Sequence, residues 1–202
     1  VDLTSSGTLT GTPVTSATFT NGVLVSQAVT ITNTGTFTIT AAHSASGSSA
    51  PFDVGAGAAS AAQTIATVPA GQAGQVTTIT VQARDALGNN RTTASGTVTV
   101  SVTGANTATA SVVNNNDGTY TATYTPAVTG TDNVAIRLGG TPISGSPYTS
   151  AVSAGSLHHF TVTNTSGGSI GTQAANNSFN IQIQAKDASS NTVTGFTGTV
   201  AL

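Results

Sequence analysis

The chain has no cysteine, no methionine and no tryptophan, and glutamate is also missing. Without cysteine there is no disulfide framework and no thiolate metal site. Losing both sulfur residues removes the side chains most easily oxidised. Charge is nearly as scarce. Asp, Glu, Lys and Arg make up 5% of the 202 residues, against about a quarter in ordinary soluble proteins. The cations are Arg84, Arg91, Arg137 and Lys186; the anions are Asp2, Asp53, Asp85, Asp117, Asp132 and Asp187. Four cations and a net charge of −2 build neither the positive footprint of a nucleic-acid binder nor a polybasic face for anionic lipid. No apolar run approaches the roughly 20 residues of a membrane-spanning helix. No stretch reads as a signal peptide, so an exported protein is expected to carry its signal outside this segment.

Thr, Ser, Ala, Gly, Val and Asn supply most of the rest. The apolar residues are β-branched and regularly spaced, which sets the chain apart from disordered sequences. Period-two alternation dominates, and no helical period emerges. Ile79, Val81 and Ala83 form one apolar set; Val98, Val100 and Val102 form another. Tyr120, Ala122 and Tyr124 face one way with threonines between them, as do Phe179, Ile181, Ile183 and Ala185. One buried and one wet face per strand predicts antiparallel sheets packed as a sandwich. Asn21-Gly22 and Asp117-Gly118 supply the positive φ that tight hairpins require. Short strands with turns every eight to twelve residues predict an all-β fold of tandem immunoglobulin-like antiparallel sandwiches.

The chain repeats itself. Residues 179–202 align without a gap on 77–100 at an offset of 102: Ala185-Lys186-Asp187 falls on Ala83-Arg84-Asp85, and Gly198-Thr199-Val200 on Gly96-Thr97-Val98. Residues 15–40 parallel 109–136, and Val1-Asp2-Leu3 resembles Val200-Ala201-Leu202, which implies a larger period of about 199 residues. Three pieces are therefore expected. Residues 1–56 are the C-terminal half of one domain type, 57–154 a complete domain of a second type, and 155–202 the N-terminal half of the first type again. A half-sandwich leaves an inner face and a sheet edge uncovered. The missing strands come either from covalent neighbours in a longer polypeptide, the favoured source, or from another subunit by strand complementation.

Asp117-Gly118-Thr119-Tyr120, the following Tyr124-Thr125-Pro126, Gly139-Gly140 with Ile143, and Gly145-Ser146-Pro147-Tyr148 together resemble the filamin-type immunoglobulin-like repeat. The resemblance covers most of 57–154. It departs at Asp132, where that family usually places Tyr; the matching position of the other domain holds Phe37. Residues 158–162, 185–200 and 35–41 resemble immunoglobulin-like modules of long bacterial surface proteins and adhesins. That resemblance implies stalks and fibres.

Little in the sequence points to chemistry. His158 and His159 are neighbours, and neighbours on a strand point to opposite faces, a poor arrangement for chelation. His43 has no carboxylate near it in sequence. There is no G-x-S-x-G turn, and a carboxylate pair would have to come from six scattered Asp residues. Asp85 with Asn89, Asp187 with Asn191, and Asn114 to Asp117 offer oxygens of the type calcium takes, although these residue types also cap turns unaided. Lys186 invites comparison with isopeptide-forming lysines, but its counterpart is Arg84, which favours a cation beside a turn. Three glycosylation sequons, at Asn90, Asn164 and Asn176, are of the kind that arise by chance in so Asn- and Thr-rich a chain. No catalytic, cofactor or metal residue is assigned, and the expectation is a non-enzymatic protein without cofactor, structural calcium being a minor alternative. The expected role is a structural repeat unit of an extracellular, cell-surface filament, stalk or adhesin. Its expected partners are further copies of itself, head to tail and laterally associated. The rival reading is a glycan- or peptide-binding module acting through an exposed sheet edge.

Overall fold

A computed structural model describes residues 1–11 and 14–201. Leu202, one end of the match between 200–202 and 1–3, lies outside them. The described residues form strands and no helix. Residues 1–56 carry β1 (Asp2–Ser5), β2 (Val14–Thr15), β3 (Gly35–Phe37), β4 (Ile39–Ala42), β5 (Ser46–Ser48) and β6 (Phe52–Val54). They form one sheet in the order β2-β1-β4-β5 and a separate β3-β6 pair.

The central segment carries β7 (Ile65–Thr67), β8 (Gly71–Gln72), β9 (Thr77–Gln82), β10 (Val98–Gly104) and β11 (Ala108–Thr109). It continues with β12 (Ser111–Asn114), β13 (Thr119–Tyr124), β14 (Gly130–Leu138), β15 (Thr141–Pro142) and β16 (Tyr148–Ser153). One sheet runs β12-β13-β9-β7, the other β11-β10-β14-β16-β8, with β15 beside β14. The predicted alternation puts Ile79, Val81, Val100, Val102, Tyr120, Ala122, Val134 and Ile136 between the sheets, each no more than 1% exposed. Burying each of the larger ones stabilises by about 1.5–3 kcal/mol, whereas the intervening threonines face water. The hairpin between β12 and β13 depends on Gly118. Its φ is +85°, and a Cβ there would lie 1.9 Å from the carbonyl oxygen of Arg91. Beyond this domain, β17 (His159–Asn164) pairs antiparallel with β18 (Ile181–Lys186).

Asp132, the departure noted in the sequence, is fully buried. Its carboxylate accepts the backbone N–H of Asn106 at 2.7 Å, the Asn106 amide at 3.0 and 3.1 Å, and the Tyr124 hydroxyl at 3.1 Å. The Asn106 side-chain oxygen in turn accepts the N–H groups of Ala127 and Val128, both at 2.9 Å. Burial pushes the Tyr124 hydroxyl pKa up, and the neighbouring carboxylate adds to the rise. A hydrogen-bonded carboxylate thus does at this corner what an aromatic ring does elsewhere. Phe37, its counterpart, is buried in the usual apolar way.

The internal repetition extends to strand register. In the central domain β10 and β14 pair Thr99 with Arg137 and Val100 with Ile136; β1 and β4 pair Asp2 with Ala42 and Leu3 with Ala41. Shifting the first strand by 97 and the second by 95 superimposes the two ladders. Gly130–Val152 and Asp132–Ser150 between β14 and β16 recur as Gly35–Val54 and Phe37–Phe52 between β3 and β6, at shifts of 95 and 98. Ile65–Gln82 between β7 and β9 recurs as Thr161–Gln184 between β17 and β18, at shifts of 96 and 102. Residues 1–56 therefore hold counterparts of β10, β14 and β16, and residues 155–201 hold counterparts of β7 and β9. β9 is bonded on both edges, by β7 and β13; among the described residues β18 is bonded on one, by β17.

Replacing Asp132 with Ala removes the shared acceptor of the Asn106 backbone N–H, the Asn106 amide and the Tyr124 hydroxyl. The expected cost is roughly 3 kcal/mol, with Asp132→Asn losing about half as much; urea unfolding midpoints read both.

Candidate functional site

For a protein of this composition the chemistry lies where domains meet. The turn after β9 is closed by Asp85, whose Oδ1 accepts the N–H of Leu87 and of Asn89, both at 2.9 Å. Its Oδ2 accepts the Asn89 side-chain amide at 2.9 Å and, across the junction, the N–H of Gly57 at 2.9 Å. The same Asn89 amide donates to the Thr32 carbonyl at 2.9 Å. The Arg91 guanidinium donates to the Gly57 carbonyl. One turn thereby holds both the linker and a loop of the preceding segment.

The turn after β18 repeats the carboxylate and amide contacts. Asp187 Oδ1 accepts the N–H groups of Ser189 at 2.9 Å and Asn191 at 2.8 Å. Oδ2 accepts the Asn191 amide at 2.9 Å and the linker N–H of Gly155 at 2.8 Å. The Asn191 amide reaches back to the Ala127 carbonyl at 2.7 Å, and its oxygen accepts the Thr129 N–H at 3.1 Å. Even the flanking cations agree: Arg84 Nε donates to Asn90 and Lys186 Nζ to Thr192, both across the turn at 2.9 Å. Lys186 is thus a turn tie. At the second junction the backbones pack closely enough to demand glycine, since a Cβ on Gly155 would lie 2.7 Å from the Ala73 carbonyl.

Asp85 and Asp187 are nearly inaccessible, yet both are held in the charged form. The Asn89 amide, helped by the N–H groups of Gly57, Asn89 and Leu87, outweighs burial and brings Asp85 to about 2. At Asp187 burial opposes ionisation most strongly, but the Asn191 amide and the N–H groups of Gly155, Asn191 and Ser189 still leave its pKa below the usual carboxylate range. A carboxylate facing N–H donors on every side is an anion site of the protein's own making, and a cation would have to displace those donors. Among the described residues no three His, Asp or Glu side chains gather as metal ligands.

The other candidates are dispersed. Asn114 Oδ1 accepts the Asn116 N–H at 2.9 Å, and Asp117 Oδ1 accepts the N–H and hydroxyl of Thr119 at 2.9 and 2.6 Å. These bonds lower the Asp117 pKa. His158 precedes β17 instead of lying on it, so strand alternation does not separate it from His159; their Nδ1 atoms are 3.2 Å apart, on the surface. His43 is exposed in the turn after β4. Hollows of about 270 and 240 Å³ flank the two junctions, lined by small residues such as Thr34, Gly35 and Asn90 in one, Ala73, Gly155 and Ser156 in the other.

Sequence reading had singled out both Asp–Asn pairs but not Gly57, Gly155, Thr32 or Ala127. The repeated four-residue spacing was visible. The partners lie 28 to 64 positions away in the chain and follow no local pattern.

Residues 56–149 match the family model of the filamin/ABP280 repeat. No curated protein matches the sequence. Among solved structures the chain is similar to FdeC, an Escherichia coli adhesin, with 26% identity and a TM-score of 0.53 over 83% of this chain and 55% of that one. Its fold is also that of invasin, a bacterial integrin-binding protein, at 20% identity and a TM-score of 0.50 over 98% of this chain and 41% of that one. The Lin-41 filamin domain matches at 27% identity and a TM-score of 0.41, over 48% of this chain and 97% of that one. The chain thus spans 55% and 41% of the two adhesin structures.

Two outcomes follow for the clasps. Substituting Asp187 by Ala, or Asp85 by Ala, frees the linker, and subtilisin cleavage at 154–156 or 56–58 is expected to quicken about tenfold while the central core stays resistant. Acid acts in a defined window. Because the Asp85 pKa falls on folding from about 3.9 to about 2, its stabilisation is complete above the unfolded value and is lost as pH drops through the folded one. The melting temperature should therefore stay level from neutral pH to about 5 and decline between about 4 and 2, less steeply in Asn89→Ala.

Proposed function

With residues 56–149 a filamin-type immunoglobulin-like repeat, we propose that this protein is a structural repeat unit of an extracellular filament or cell-surface stalk. Domains are joined head to tail, and each split domain is completed by the neighbouring copy. The observation that carries the reading is the recurrence of one clasp at two successive junctions. A carboxylate after β9, and again after β18, grips the linker, and its Asn partner grips the segment before. Repeating such a joint fixes the step from one domain to the next, which is what a stalk needs to convert domain number into length. The strand registers shared between residues 1–56, the central domain and residues 155–201 support completion by a neighbour.

The composition fits a mechanical role. Threonine-covered faces lie against other copies without charge repulsion and with little desolvation, and a chain with four Lys and Arg offers few trypsin sites outside the cell. FdeC and invasin are adhesins or receptor-binding proteins by their own descriptions, and a surface location for this chain is inferred from its likeness to them. The buried carboxylates Asp85 and Asp187 accept backbone N–H groups and an Asn amide, which supports a joint over a catalytic role. The edge-binding alternative draws on the surface ring pair Phe160–Phe196, whereas Tyr120 and Tyr124 lie in the core.

A covalent tandem of two copies tests the reading. Calorimetry of the tandem is expected to show an additional cooperative transition, from the domain completed across the joint, that the single copy lacks. A tandem melting as the sum of two independent copies would overturn completion by a neighbour.

A further inference from the structure

Resting on that reading of split domains, we infer that residues 24–29 of a second copy of this chain add as a strand to the open edge of β18, in one antiparallel register that places Val25 opposite Ile183 and Val29 opposite Phe179. In the central domain β9 carries β13 on this edge, with Tyr120 opposite Val81, Ala122 opposite Ile79 and Tyr124 opposite Thr77. The β9 residues correspond to Phe179, Ile181 and Ile183 at the shift of 102 set by the paired ladders. The counterpart of β13 is fixed from its far end. Gly130 corresponds to Gly35 in register, and the Ala127 carbonyl that receives Asn191 corresponds to the Thr32 carbonyl that receives Asn89. Both give a shift of 95, so Tyr120, Ala122 and Tyr124 map to Val25, Gln27 and Val29.

The glycines of the preceding hairpin are 96 apart instead. Its closing pairs are Thr20–Val23 here and Asn115–Thr119 in the central domain. From the closing pair to the clasped carbonyl is nine residues here, Val23 to Thr32, and eight there, Thr119 to Ala127. The extra residue lies within this strand, at its Val23 end in the register proposed, which is counted from the Thr32 end. That phase is already visible, because Ile31 bridges Leu9 and lies against the buried Phe37 cluster. Stepping back by twos from Ile31 reaches Val29, Gln27, Val25 and Val23.

Exposure marks the same residues. Val25 is 94% exposed, Val23 58% and Phe179 51%, whereas their central counterparts are buried. A one-residue slip would turn Leu24, Ser26 and Ala28 inward and leave the valines in water. Gln27, opposite Ile181, enters the interface with its amide occupied: its oxygen accepts the Ala17 N–H at 2.9 Å and its nitrogen donates to the Ala28 carbonyl at 3.1 Å.

Because the chain has no cysteine, disulfide trapping reads the register directly. Ser26 and Gln182 occupy the places of the outward pair Thr121–Thr80 and would sit directly opposite, within disulfide reach. Ser26 and Gln184 would be diagonal and beyond it. A Ser26→Cys chain mixed with a Gln182→Cys chain under mild oxidation is expected to yield linked dimers at least tenfold faster than Ser26→Cys mixed with Gln184→Cys. Chains that associate in sedimentation but cross-link equally, or faster through Gln184→Cys, would refute the register while leaving completion by a neighbour intact. Chains that stay monomeric and cross-link through neither pair would refute the completion reading itself. A doubly substituted Ser26→Cys, Gln182→Cys chain that closes on itself at high dilution would show that the strand comes from the same copy.

Discussion

A buried carboxylate surrounded by four N–H donors is the interaction on which this chain's organisation depends. Asp85 and Asp187 each order a short turn with two of those bonds, and spend the others on a partner amide and on a linker glycine. Neither half works alone. Without the turn the carboxylate has no fixed direction; without the linker the turn is an ordinary surface loop. The charge that would be costly to bury is tolerated because every lone pair in the plane of the carboxylate meets a donor. In a protein nearly free of ions, the few it keeps are placed at joints and corners.

Asp132 follows the same logic inside the central domain. The position begins the long strand β14 and must tie the sandwich to the loop preceding it. Residues 1–56 solve the problem with Phe37 and apolar contact; the central domain uses a carboxylate, Asn106 and Tyr124. The two solutions occupy one register position, Phe37 opposite Phe52 and Asp132 opposite Ser150. The pairing across the sheet changes with them, aromatic against aromatic in one case and polar against polar in the other. Backbone geometry is thus shared between the two segments while side-chain chemistry differs.

The residues on either side of the central sandwich gain their meaning from it. β1, β3, β4 and β6 repeat the ladders of β10, β14 and β16, and β17 with β18 repeats β7 with β9. In the central domain these strands form two faces over one core. Separated at the two ends of the chain, the same strands leave Leu3, Ile39, Ile181 and Ile183 only half buried. Hydrophobic burial and edge pairing thus both favour covering these strands.

The sequence by itself determined the strand character, the sandwich class and the internal offset of 102. Each is a local matter of alternation, turn residues and recurrence, and needs no knowledge of what lies across the core. The hairpin at Gly118, the inward set from Ile79 to Tyr124 and the turn role of Lys186 were legible for the same reason. What the Asp–Asn pairs do was settled by tertiary structure. Their four-residue spacing is equally that of a turn cap and of a calcium ligand pair, and the distinction rests on which atoms meet the free carboxylate oxygen. Those atoms belong to Gly57 and Gly155, brought there by the path of a linker around the end of a sandwich. A local pattern encodes a strand or a turn because its bonds are near in sequence. A joint between domains is made by residues that become neighbours when both sides have folded.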